Sequence, residues 1–98
     1  MAYNMKLNIP LQAKKNVFKA VIYNQMNGNK CATKIGKYRS NQILEGKPMS
    51  LKTLQRTYSY LSRAKVYATG NYNQCGTISY NLWGGDAMLQ YLKKLLKK

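Results

Sequence analysis

Histidine is absent from this chain, and carboxylates are nearly so: Glu45 and Asp86 are its only acids. General acid–base chemistry therefore has almost nothing to work with, because the two carboxyl groups lie about forty residues apart in sequence and no imidazole can act at neutral pH. The same poverty excludes an ordinary zinc site. Two cysteines without histidine cannot complete a four-ligand shell within one chain. No GxxxxGK[ST] or GxGxxG run occurs, so no phosphate-cradling loop is legible and no nucleotide cofactor is expected. Long apolar runs are also missing: nothing approaches the roughly 18 consecutive apolar residues of a membrane span, and the opening MAYNMKLNIPLQ lacks the pattern of a secretory leader. These absences describe a soluble, non-enzymatic protein with no metal, no cofactor and no small-molecule substrate. With so few cysteines and no leader, Cys31 and Cys75 read as reduced thiols in a chain of cytosolic origin.

What the chain does have is positive charge. Seventeen Lys and Arg stand against the two acids, a formal charge of +15 on 98 residues. Such a surface repels itself unless a polyanion or an acidic protein offsets it, so composition alone implies a partner. Fourteen of the cations are lysines, hydrated point charges suited to general electrostatic attraction; bidentate base reading favours arginine. Hydrophobic content of 45% allows one modest core, and the length allows one domain.

Along the chain, residues 1–12 read as a polar arm in which Pro10 biases Asn8 and Ile9 towards extended backbone. From Lys14 to Met26, the residues Val17, Phe18, Val21, Ile22 and Met26 recur at helical spacing, although most are also strand formers; the spacing favours a helix. Asn27, Gly28 and Asn29 end it. Lys30 to Arg39 then concentrates cations around Gly36 and Tyr38 and reads as an exposed basic loop. After the turn at Gly46, Lys47 and Pro48, Ser50 is a good N-cap for a helix over about 50–66. Its stripe Leu51, Leu54, Tyr58, Leu61 would face a core, and Lys52, Gln55, Arg56, Ser59, Ser62 and Arg63 would face away. Thr77 to Trp83 alternates like a strand yet also fits a helix face; the Gly-Gly stop decides for a short helix over 76–83. The final segment from Asp86 carries Met88, Leu89, Leu92, Leu95 and Leu96 on one face, with an acid first and lysines last, as the helix dipole prefers.

The fold expected is mainly α: a compact helical module over residues 47–98, with an irregular or extended basic N-terminal half over 1–46. Its organising stretch is Cys75 to Asp86, where Ile78, Leu82 and Trp83 supply a buried cluster. Gly84 and Gly85 permit positive φ, and Asp86 can accept from the amides opening the next helix. Three features could carry function. Lys30, Lys34, Lys37 and Arg39 could follow a phosphate backbone or an acidic surface, joined by Lys52, Arg56 and Arg63, though a solvated loop accounts for the first four equally well. Trp83 could anchor a partner, but its neighbours favour a core role. The terminal helix could meet an anionic membrane or a partner groove, and a packed surface helix fits the same pattern.

The residues Gly46, Lys47, Pro48, Met49, Ser50, Thr53 and Arg56, the segment Tyr58 to Arg63, the pair Cys75 and Gly76, and Trp83, Gly84, Gly85 and Asp86 with Tyr91 and Leu95 together resemble a small module of tailed-bacteriophage proteins, particularly those of crAss-like phages. The consecutive Trp83 to Asp86 are its most specific part, and about half the chain is covered. Related modules usually carry a longer polar or His-containing loop after the first helix and a Trp where this chain has Tyr91, and residues 1–45 are unmatched. The resemblance implies a virion protein made in the bacterial host cytoplasm. The first expectation is an auxiliary capsid protein whose partner is the major capsid protein or another virion protein. The alternative is a basic protein that coats or compacts double-stranded phage DNA, and a membrane-active toxin is a third class resting on the terminal helix alone. The resemblance supplies no catalytic residue.

Overall fold

The computed structural model describes residues 4, 5 and 7–98. Residues 1–3 and 6 of the expected arm lie outside the described residues. In chain order the elements are β1 (Asn4–Met5), α1 (Leu11–Met26), α2 (Lys34–Glu45), β2 (Met49–Ser50), α3 (Leu51–Ala64), a 3-10 turn (Lys65–Tyr67), α4 (Cys75–Leu82) and α5 (Gly85–Leu95). The fold is mainly helical, as expected. The irregular N-terminal half is not found: α1 and α2 are regular helices, and Ala13, Val17, Ala20 and Ile43 belong to the same hydrophobic core as Leu54, Leu61, Ile78, Met88 and Leu92.

The reason is legible in α1 itself. Its buried residues, Ala13, Val17, Ala20 and Asn24, recur at steps of four, three and four, and two of them are alanines, so the helix can approach α4 closely. Asn16 Nδ2 donates to the Gly84 carbonyl at 2.9 Å, fastening α1 to the glycine corner. The arm residues before it are also drawn in. Leu7 and Ile9 are buried, the Asn8 amide donates to the Tyr91 hydroxyl at 3.1 Å, and β1 pairs antiparallel with β2 in the register Asn4↔Ser50 and Met5↔Met49.

The expected basic loop over Lys30 to Arg39 is a second correction. From Lys34 onward it is helix α2, started by Thr33, whose hydroxyl accepts from the Gly36 amide at 3.1 Å. It is ended by Gly46 at φ 65°, with Lys47 N donating to Gln42 O and Gly46 N to Ile43 O, the paired bonds of a left-handed C-terminal cap. Gly36 reads as a loop residue, but it lies buried in the first turn of α2, where a Cβ would come into contact with Trp83 Nε1 at 3.4 Å.

Helix α3 opens as expected, with Ser50 Oγ accepting from Thr53 N at 3.2 Å. Its buried side is Leu54, Thr57 and Leu61, while Leu51 is about half exposed. Helices α4 and α5 turn on Gly84 at φ 103° and Gly85 at φ 63°; a Cβ on the first would collide with Met88 and on the second with Asn81. Asp86 does not cap α5. It lies within the first turn and accepts the hydroxyl of Tyr80.

Cys31 and Cys75 are joined in a disulfide with Cα atoms 4.9 Å apart, against the expectation of reduced thiols. The packing of α1 on α4 carries the α1–α2 turn to the start of α4, and Ser79 Oγ donates to the Cys31 carbonyl at 2.7 Å beside it. Closing a loop of 44 residues contributes about 4 kcal/mol in the chain-entropy treatment.

Candidate polyanion-binding groove

Two helix faces turned towards each other make the site. From α2 come Lys34, Ile35, Tyr38 and Arg39, at positions i, i+1, i+4 and i+5, which share one face. From α3 come Lys52, Gln55, Arg56, Ser59, Tyr60 and Arg63, the side opposite Leu54 and Leu61 together with its flank. Trp83, at the C-terminal end of α4, forms the floor. The resulting groove is about 800 Å³, within the range of ordinary ligand and peptide pockets.

Five of the seven candidate cations, Lys34, Arg39, Lys52, Arg56 and Arg63, therefore line one groove, although they come from separate parts of the chain. Lys30 and Lys37 do not. Lys30 is exposed in the α1–α2 turn, and Lys37 faces a different depression beside Asn24 and Ser40. Trp83 is buried and Gly84 and Gly85 take positive φ, as expected, but Trp83 has a double role, core on one side and groove floor on the other. Sequence reading misses Ile35 and Tyr60 as lining. The signal for Tyr60 was available only as an aromatic next to the polar stripe of α3.

The floor is built by stacking. The Tyr60 and Trp83 rings lie 4.0 Å apart and 19° from parallel, and the Arg39 guanidinium carbon is 5.4 Å from the Trp83 ring centre and 6.0 Å from that of Tyr38. Burial pushes the Tyr60 hydroxyl above its ordinary range. Tyr38 and Ile35 stand exposed on the α2 wall, giving the groove an apolar lip as well as a charged rim.

Arg39 is the unusual residue. It is only 8% exposed, yet among the described residues its one side-chain hydrogen bond runs from Nη1 to Gln42 Oε1, and its buried Nε has no partner. Burial lowers its pKa, with a further small push from the like charge of Arg56, against a raising influence from Tyr38. A guanidinium stays charged regardless, so this one carries a desolvation cost that no carboxylate offsets. Among the described residues the one ion pair is Lys47 with Glu45 at 2.9 Å, both exposed, and the other acid is engaged by Tyr80. The groove's cations have no internal counter-charge. An anion placed between Arg39 and Arg56 would relieve their mutual repulsion.

Among the described residues no cluster of His, Cys, Asp or Glu could hold a metal ion, and no helix is long and apolar enough to cross a membrane. Comparison of the chain with protein-family models, with curated proteins and with solved structures yields no match, so its own residues carry the functional argument.

Proposed function

We propose that the chain is a non-enzymatic structural virion protein of a tailed phage, an auxiliary capsid protein that binds the capsid lattice by seating an acidic segment of the major capsid protein, or of another virion protein, in the α2–α3 groove. The observation that carries this reading is Arg39: a buried guanidinium with an unpartnered Nε, beside Trp83, in a groove whose five cations face no acid. The apolar lip of Ile35 and Tyr38 favours a protein segment, which can offer a side chain to it as well as carboxylates to the rim. The disulfide is in keeping with a protein that works outside the reducing cytoplasm in which it is made.

A second reading rests on a specific feature. Exposed Tyr38 beside Arg39 offers a stacking face with a cation next to it, an arrangement that suits an unpaired stretch of phage DNA, while a duplex would reach only the rim lysines and arginines. Mass spectrometry on purified particles before and after osmotic release of the DNA separates the two. Retention on emptied shells at a fixed ratio to the major capsid protein supports the capsid reading, departure with the DNA supports the second, and absence from both refutes a virion role.

A further inference from the structure

We propose that the outer face of α1 is a second docking surface, separate from the groove, that takes an acidic amphipathic helix of a partner protein. Helix α1 puts its small residues inwards and its large apolar ones outwards: Leu11 is 66% exposed, Phe18 61%, Ile22 40% and Met26 73%. With Lys15 among them, these residues step along the helix by four, three, four and four, so they form one narrow row about 22 Å long. A single row of that kind is the width of a helix–helix seam, whereas an interfacial membrane helix presents a broad apolar face. Exposing four large apolar side chains in line is costly in solubility, and such a patch on a charged protein marks an interaction surface.

Charge selects the occupant. The seam contains exposed Lys15 and is flanked by Lys14 and Lys19, and α1 carries no acidic residue. A second copy would bring an identical lysine into the seam, on another chain of charge +15, and its own α1 has no acid to meet either one. A partner helix with apolar residues at seam spacing and a Glu opposite Lys15 satisfies both the row and the cation within it, as polar seam positions do when they fix register. None of these α1 residues lines the groove, so the two surfaces can be occupied independently.

The test uses the full oxidised chain and two synthetic helical peptides with leucine at seam spacing except at the position that meets Lys15, which is Glu in one and Lys in the other. Wild type should bind the Glu peptide at least about tenfold more tightly than the Lys peptide. The double variant Phe18→Ser, Met26→Ser should lose that binding tenfold while its melting temperature and its binding of poly-glutamate stay unchanged. Lys15→Glu should reverse the preference between the peptides. The groove variant Arg56→Gln, Arg63→Gln should keep the Glu-peptide affinity. The proposal is overturned if the Phe18, Met26 variant binds as wild type does. Loss of Glu-peptide binding in the groove variant also overturns it. So does sedimentation showing a dimer that the Phe18, Met26 variant abolishes, or binding to phosphatidylglycerol vesicles in preference to the peptide that depends on Phe18 and Met26.

Discussion

The two sides of Trp83 are built on opposite principles. On the α4–α5 side, polar groups close on one another: Asn16 reaches the Gly84 carbonyl, Asn81 donates to Thr77 O at 2.9 Å, and Tyr80 gives its hydroxyl to Asp86. On the α2–α3 side, five cations share a groove with no acid, and Arg39 keeps a buried donor idle. The corner's polar groups are satisfied within the chain, whereas the groove's cations meet no acid within it. Burial and satisfaction together mark a part whose work is folding; burial without satisfaction is the feature on which the proposed binding role rests.

The comparison breaks first at the corner. Gly84→Val places a branched side chain at φ 103° against Met88, and should lower stability by about 3 kcal/mol in a denaturant titration of the oxidised protein. A loss below about 1 kcal/mol would show that the corner relaxes easily and does not organise the fold. Across Trp83 the sign should change. Arg39→Met removes an uncompensated buried charge and keeps most of the side-chain volume, so the variant should be more stable by about 1 kcal/mol in the same titration, while losing affinity for an acidic peptide by about tenfold. Lowered stability together with unchanged affinity would make Arg39 an ordinary structural residue and erase the contrast.

A smaller effect lies in pH. Burial first, and then the bond to Asp86, push the Tyr80 hydroxyl well above its ordinary value of 10.0, so the folded state holds this proton more firmly than the unfolded chain does. The stability it contributes is therefore complete below about pH 10 and declines as the pH rises above that, through the folded-state pKa. Tyr80→Phe should flatten part of that alkaline decline in thermal melts taken from neutral to strongly basic pH; an identical decline would assign it to Tyr60 and Tyr72, whose hydroxyls are also raised by burial.

How much of this was readable beforehand follows the same division. Helix α3 is legible because its signals are local, a serine cap followed by leucines at helical steps, and the corner is legible because two consecutive glycines have few other uses. Helix α2 is not, because Gly36 and the surrounding lysines imitate a loop, and the place of Gly36 against Trp83 at the end of α4 is visible only in the fold. In α1 the periodicity announces a helix but offers two apolar rows. Only the docking of α4 decides that Ala13, Val17 and Ala20 are covered and that Phe18, Ile22 and Met26 are left outside. The disulfide has no local signal either, since its partners meet through α1 and α4 across 44 residues. For the groove, charge and helix face pick out Lys52, Arg56 and Arg63, yet their union with Lys34 and Arg39, and the exclusion of Lys30 and Lys37, require α2 to lie beside α3.

The central claim is that the groove, and not the net charge of +15, selects the partner. Two charge-matched variants test it directly, both altering exposed residues only: Arg56→Gln with Arg63→Gln inside the groove, and Lys30→Gln with Lys37→Gln outside it. Binding of a poly-glutamate peptide at fixed ionic strength should fall about tenfold for the first pair and by less than about threefold for the second. Equal losses would mean that any cation serves and that the groove is not the site.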